Sequence, residues 1–143
     1  MKTVKEILDQ KGRKVFTIDA GQAVLEAIQM LADEGIGAVV IQKEGKTTGL
    51  FSERDYICKV VLTGRRSETT AVGDVVSQKL VVVGPDTPVD DCMMLMTQAR
   101  TRHLPVVEGD QLVGLVSIGD IVKDIIAGQQ MVIEQLEQYV YYS

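Results

Sequence analysis

Apolar spacing defines the first clear element. Val24, Leu25, Ile28, Leu31 and Ala32 follow an i, i+1, i+4, i+7, i+8 pattern, which is one face of an amphipathic helix. A helix is therefore predicted from about residue 22 to residue 34, ended by Gly35. Ahead of it, Val4, Ile7 and Leu8 mark a short helical lead-in, residues 10–14 are polar, and residues 15–18 form a short apolar strand. After it come a buried strand at 37–41, a turn at Lys43-Glu44-Gly45-Lys46 and a return strand at 47–51. A helix then runs from Ser52 to about residue 62, with Tyr56, Ile57, Val60 and Val61 as its apolar period.

The order then recurs. Residues 63–70 are polar throughout and read as a linker. Val72-Gly73-Asp74-Val75-Val76 echoes Val4-Lys5-Glu6-Ile7-Leu8, and a short strand is expected at 80–83. Val89, Cys92, Met93 and Met96 give the second helix its apolar face; methionine at that spacing is core filling. A strand follows at 103–107, with Pro105 marking a strand edge or end, then a turn at Glu108-Gly109-Asp110-Gln111 and a return strand at 112–116. One phrase occurs twice at the same place in this order, as Gly49-Leu50-Phe51-Ser52-Glu53-Arg54-Asp55 and Gly114-Leu115-Val116-Ser117-Ile118-Gly119-Asp120, 65 residues apart. A phrase repeated in register, inside a repeated order of elements, marks a duplicated unit. The expected division is a first repeat at 1–63, a linker at 64–71, a second repeat at 72–127 and an amphipathic C-terminal helix at 128–143. Val132, Leu136, Tyr139 and Val140, widened by Met131 and Ile133, give that last helix a broad apolar face. It either packs on its own domain or forms a subunit contact.

The repeated phrase describes a buried strand running into a helix. The free N–H groups and positive dipole end at such a helix start suit a phosphate. An acid three residues after the serine can accept hydrogen bonds from paired ribose hydroxyls. The same Ser-x-x-Asp spacing also describes an ordinary helix cap, so a capping role stands beside the ligand role.

Composition narrows the possibilities. The 143 residues are 45% hydrophobic and 24% charged, an ordinary globular balance, so the chain suits one compact domain or two small fused repeats. A net charge of −5 argues against general nucleic-acid binding. No apolar run approaches membrane-spanning length, and the N-terminus lacks an apolar signal core, so the protein is read as cytoplasmic, with no membrane association. Cys58 and Cys92 both fall in apolar helical periods and are expected as reduced core thiols, poorly placed as nucleophiles. A single histidine rules out a multi-histidine metal site within one chain. Residues 72–143 contain only four cations, Lys79, Arg100, Arg102 and Lys123, and two of these stand just before a strand.

Each repeat reads strand–helix–strand–strand–helix, and the phrase falls at the last strand-to-helix step. This order, with Ser52-Glu53-Arg54-Asp55 and Arg102-His103-Leu104-Pro105-Val106-Val107, resembles the cystathionine β-synthase (CBS) domain over about residues 4–126. The resemblance implies a paired, or Bateman, module: an α/β fold of the α+β type, with two tandem β-α-β-β-α repeats packed about a pseudo-two-fold axis and a C-terminal helix added. It implies two clefts between the repeats, each completed by the sister repeat, which commonly hold AMP, ADP, ATP, NAD or S-adenosylmethionine. Asp55 and Asp120 match the family's ribose-binding acid, and Ser52 and Ser117 its phosphate-side or capping hydroxyl. Asp55 should then face Lys79, Val81, Arg102, His103 and Leu104, while Asp120 should face Lys14, Phe16, Thr17, Ile36, Gly37 and Ala38. Strand backbone would meet the adenine edge, with Phe16, Val81 and Ile36 against the ring. Arg54, Arg102 and His103 are the phosphate partners of the first cleft. The second has Ile118 and Gly119 in place of Glu53 and Arg54, and Gly37 in place of His103; it is expected to take a less charged ligand, to bind weakly or to stay empty. The resulting expectation is a regulatory module that binds an adenosine nucleotide without catalysis and without a required cofactor, as a homodimer or through an unidentified effector protein. The alternative is an interaction module with vestigial clefts.

Overall fold

The computed structural model describes residues 2–76 and 79–142, the last two by backbone alone. Met1 and Ser143, the ends of the expected first and last units, lie outside them. The first half consists of α1 (Val4–Lys11), β1 (Thr17–Asp19), α2 (Val24–Glu34), β2 (Ala38–Lys43), β3 (Lys46–Ser52) and α3 (Glu53–Tyr56), which continues as a π-turn over Ile57–Val61. The second half consists of a 3-10 turn (Val72–Asp74), α4 (Val89–Ala99), β4 (His103–Glu108), β5 (Gln111–Ser117) and α5 (Ile118–Tyr142). β1 runs parallel to β2, and β2 pairs antiparallel with β3; β4 pairs antiparallel with β5. The two hairpins share one register: Ala38 faces Ser52 as His103 faces Ser117. Each also carries its irregularity at the same step, after Ile41 and after Val106. The chain is thus a mixed α/β fold of two tandem repeats about a pseudo-two-fold axis, with an added C-terminal helix.

The strand expected at 80–83 is absent; only an isolated parallel bridge joins Val83 to Val106. Two prolines account for this. In the first repeat, Val40 N–H donates to the Phe16 carbonyl and Ala20 N–H to the Gln42 carbonyl. Pro105 stands at the position of Val40 and Pro85 at that of Ala20, and proline has no N–H to donate. The surviving bonds, Val83 N–H to the Pro105 carbonyl and Val107 N–H to the Val83 carbonyl, are those that need no donor from either proline.

Each repeat completes the other's core. Val4, Ile7 and Leu8 of α1 pack with Val83, Val89, Cys92, Met96, Leu104, Val106, Val116 and Ile121 of the second half. Val72 and Val75 pack with Ile18, Val24, Leu31, Phe51 and Val60 of the first. The glycine that opens the repeated phrase follows from this exchange. A Cβ on Gly114 would stand 2.8 Å from Leu8 Cδ2, and one on Gly49 would stand 3.1 Å from Val76 Cγ2. The lead-in of one repeat therefore lies flat on the return strand of the other, where a side chain would collide.

Three helical faces differ from the apolar pattern. α2 buries Val24, Ala27 and Leu31 and leaves Ala32 exposed, so its inner face turns toward the small Ala27 side chain. Of the expected period after Ser52, Val60 is buried, Tyr56 is partly buried, and Ile57 and Val61 are more than half exposed. Helix α5 continues without a break through Ala127 and Gly128, where a boundary was expected. From Gln129 to Val140 it is exposed throughout, so the tail does not pack on its own domain.

Candidate functional site: a cationic cleft between the repeats

A cleft of about 620 Å³ opens between the halves, lined from the first by residues that include Gly37, Ser52, Arg54, Asp55, Cys58 and Lys59. From the second come Lys79, Val81, Arg100, Thr101, Arg102, His103 and Pro105. Its lining holds five cations (Arg54, Lys59, Lys79, Arg100 and Arg102) against the two carboxylates Glu53 and Asp55. Three of the four cations in residues 72–143 are gathered here, although the chain as a whole is acidic. Such a wall attracts anions by simple charge.

Both Ser-x-x-Asp phrases form the reciprocal cap that their spacing permits. Ser52 N–H donates to Asp55 Oδ2 at 2.9 Å, and Asp55 N–H donates back to Ser52 Oγ at 3.3 Å. Ser117 N–H donates to Asp120 Oδ2 at 2.9 Å, and Asp120 N–H to Ser117 Oγ at 3.2 Å. The capping role is therefore real in both copies, and any ligand role is additional to it. The two acids differ in their cations. Asp55 Oδ1 meets Lys59 Nζ of its own helical stretch at 3.1 Å. Asp120 Oδ2 instead meets Lys11 Nζ, from the end of α1, at 2.6 Å. Burial works against the charge on Asp120, but the hydrogen bonds from Lys11 and Ser117 outweigh it and hold the carboxyl below its usual range.

The first set of anticipated residues comes together with two distinctions. Lys79, Val81, Arg102 and His103 line the Asp55 cleft, but the Leu104 side chain is fully buried in the second core. Nothing among the described residues donates to the Val81 carbonyl, since the residue opposite is Pro105. The second set does not gather on Asp120. Gly37 lines the Asp55 cleft instead, where a Cβ would stand 3.5 Å from His103 Cε1. Ala38 is buried, Phe16 and Ile36 pack against the first core, Thr17 lies on β1, and Lys14 Nζ sits 5.0 Å from the Phe16 ring centre. Gly37 is also the counterpart of Arg102 rather than of His103. Glu53 N–H donates to the Gly37 carbonyl as Ile118 N–H donates to the Arg102 carbonyl, which leaves Ala38 matched with His103.

Sequence reasoning missed several lining residues. Arg100 ends α4 in the left-handed conformation, φ 53°, where Gly35 ends α2 at φ 63°. A non-glycine residue there is strained, and strain of this kind gathers at functional sites. The match of Arg100 to Gly35 was a signal available in the sequence. Cys58 was expected in the core but is exposed and lines the cleft, whereas Cys92 is buried. Burial, with help from the Asp91 charge, pushes the Cys92 thiol up to about 11. His103 is pushed down, first by burial and then by the positive charge of Lys11.

Two repeats that share cores and enclose a charged cleft at their junction define a tandem-repeat module. The sequence pattern of the CBS domain matches twice, at residues 4–61 and 72–127, and the chain belongs to that family. It is 32% identical to the CBS domain-containing protein CBSX3, mitochondrial, of Arabidopsis thaliana, over 96% of this chain and 71% of that one. A CBS-domain protein of known structure from Burkholderia ambifaria superposes with a TM-score of 0.85 at 44% identity, covering 90% of this chain and 96% of that one. The CBS domain pair of protein MJ0100, solved in complex with 5′-methylthioadenosine and S-adenosyl-L-methionine, shares the fold at 23% identity, with a TM-score of 0.77 over 90% and 98% of the two chains. No helix among the described residues is long and apolar enough to cross a membrane.

Proposed function

We propose that this chain is a regulatory module that binds an adenosine nucleotide (AMP, ADP, ATP or NAD) in the Asp55 cleft and acts through its own homodimer or an effector protein. The carrying observation is the gathering of five cations around one ribose-competent carboxylate in a chain of net charge −5. The anionic end of the ligand lies among Arg54, Lys79, Arg100, Arg102 and His103, and its ribose hydroxyls share Asp55 with Lys59. The Val81 carbonyl, without a donor from Pro105, can accept the exocyclic amino group of adenine. The MJ0100 complex supports this choice of ligand class, because the same fold there accommodates adenosine compounds. The nucleotide is a reversible ligand, not a substrate, and the two free thiols suit a cytoplasmic setting.

Calorimetry tests the reading directly. A charge-assisted hydrogen bond is worth about 1.5–3 kcal/mol, so Asp55→Ala weakens binding by roughly 10- to 150-fold. Arg102→Ala hurts AMP more than adenosine, and more at low salt than at high, because screening shrinks its contribution. If Asp55→Ala lowers thermal stability and the wild type binds none of AMP, ATP and NAD at millimolar concentration, the module is an interaction scaffold whose acids serve only as caps.

A further inference from the structure

Helices α2 and α4 stop in the same way. Ile36 N–H donates to the Leu31 carbonyl and Thr101 N–H to the Met96 carbonyl, each at 3.1 Å and in the same 65-residue register. This stop needs a left-handed residue just before the donor, and the repeats fill the place differently: Gly35 at φ 63° and Arg100 at φ 53°. Glycine is the low-cost occupant, because a Cβ in that conformation crowds the following carbonyl. Among the described residues the one other non-glycine case, Glu44, lies in the β2–β3 hairpin turn, which favours positive φ by itself. The Arg100 side chain makes no hydrogen bond or ion pair among the described residues; it stands exposed on the wall of the Asp55 cleft. Arg54 and Arg102, on the same wall, are likewise unpaired there. With Lys59 already on Asp55, only Glu53 in the lining opposes Arg54, Lys79, Arg100 and Arg102.

We infer that Arg100 is a specificity residue held at a cost to the free chain: its guanidinium fits the Asp55 cleft to a polyphosphate in preference to a monophosphate. The inference rests on the nucleotide reading of the cleft for the adenosine part, and on Arg100 and the charge of the wall for the rest. A single phosphate carries a charge of about −1.5 to −2 and is answered by the cations nearest the ribose acid. Arg54 is one of these, since it adjoins Asp55 in the repeated phrase. Arg100 comes from the other repeat, at the end of α4, and supplies charge that only a longer phosphate chain can use. A guanidinium also pairs with two phosphate oxygens at once, which a lone ammonium does not match. Backbone and side chain then pull in opposite directions at one position. Glycine there relieves the backbone and removes the ligand contact, so stability rises while polyphosphate binding falls.

Thermal unfolding and calorimetry of the full chain with AMP, ATP and inorganic tripolyphosphate, at fixed ionic strength without magnesium, test both halves of the inference. Arg100→Gly is expected to melt about 2–4 °C above wild type, whereas Arg100→Ala, which keeps a Cβ in the left-handed conformation, does not. Both variants weaken ATP and tripolyphosphate by about tenfold or more and AMP by less than about threefold. Because the glycine variant is the more stable one, its loss of binding does not come from unfolding. ATP binding in Arg100→Gly equal to that of wild type overturns the inference, as does an equal loss for AMP and ATP or a melting temperature no higher than that of Arg100→Ala. Wild type that binds AMP as tightly as ATP also overturns it, and leaves the nucleotide reading in place. Tripolyphosphate binding that depends on Arg100, with adenosine and AMP both silent, supports the role of Arg100 and overturns the adenosine reading of the cleft.

Discussion

His103 is the titratable residue closest to the logic of the site. Burial, then the Lys11 charge, lowers its pKa from 6.5, with Arg102 acting the same way and Asp120 and Glu53 opposing. The folded chain therefore prefers neutral imidazole. The stability this contributes is fully present above about pH 6.5 and is lost as pH falls through the folded value. Asp120, also depressed, contributes stability above its unfolded value of 3.8 that disappears only as pH falls through its lower folded value, so the two windows are separate. His103→Gln is expected to flatten the fall in melting temperature between about pH 7 and about pH 5 and to leave the deeper acid limb in place; an unchanged slope would show that the imidazole does not set it. The two thiols offer a second check. Cys58 is exposed in the cleft wall and Cys92 is buried, with its thiol raised to about 11. Native-state labelling with a thiol reagent should modify Cys58 and spare Cys92, and bound nucleotide should slow the labelling of Cys58. Equal rates with and without nucleotide place the ligand elsewhere.

At the scale of elements, the controlling feature is the exchange of lead-in segments. α1 is held on the second repeat by burial of Val4, Ile7 and Leu8, by the Lys11–Asp120 ion pair to α5, and by the Lys2–Asp124 pair just ahead of it. The tightest steric point is Leu8 against Gly114. Gly114→Ala overfills that contact and is expected to cost about 1–3 kcal/mol in denaturant unfolding. Leu8→Ala opens a cavity and costs about 2–5 kcal/mol. The double variant should cost less than the sum, because each change relieves the other; strict additivity would mean that Leu8 does not press on Gly114. At Gly49 the facing residue is the smaller Val76, at 3.1 Å instead of 2.8 Å, so Gly49→Ala is the milder change.

At the scale of the whole molecule, one protomer leaves too much apolar helix in water. Ile57, Val61 and Leu62 after α3, and Val122, Ile125, Ile126, Met131, Val132, Ile133, Leu136, Tyr139 and Val140 along α5, are all exposed. A soluble monomer rarely exposes so many large apolar side chains along its helices. The proposed homodimer covers it, and the tail beyond Ala127 contributes because it has no support from its own domain. Light scattering should report a dimer across the micromolar range, and a chain ending at Ala127 should dissociate at lower dilution. A truncated chain that dimerises as tightly as the full one would confine the interface to the helices of the repeats.

The sequence by itself determined the duplicated order, the two hairpins and the two serine–aspartate caps. These rest on interactions within about ten residues, where periodicity and turn chemistry decide the outcome. It also carried the absence of the 80–83 strand, since Pro85 and Pro105 stand where the first repeat has donors, but that signal needed the register to interpret it. The pairing of Asp55 with Lys79, Val81, Arg102 and His103 came through family resemblance, not from the spacing itself. Only the tertiary structure decided that α1 serves the second repeat, that Lys11 closes on Asp120 across more than a hundred residues, that Cys58 turns outward and that Arg100 enters the cleft. The physical reason is the same in each case. An apolar period says that a helix has an inner face, but which surface meets that face, and which charge meets a carboxylate, is set by elements distant in sequence that pack beside it.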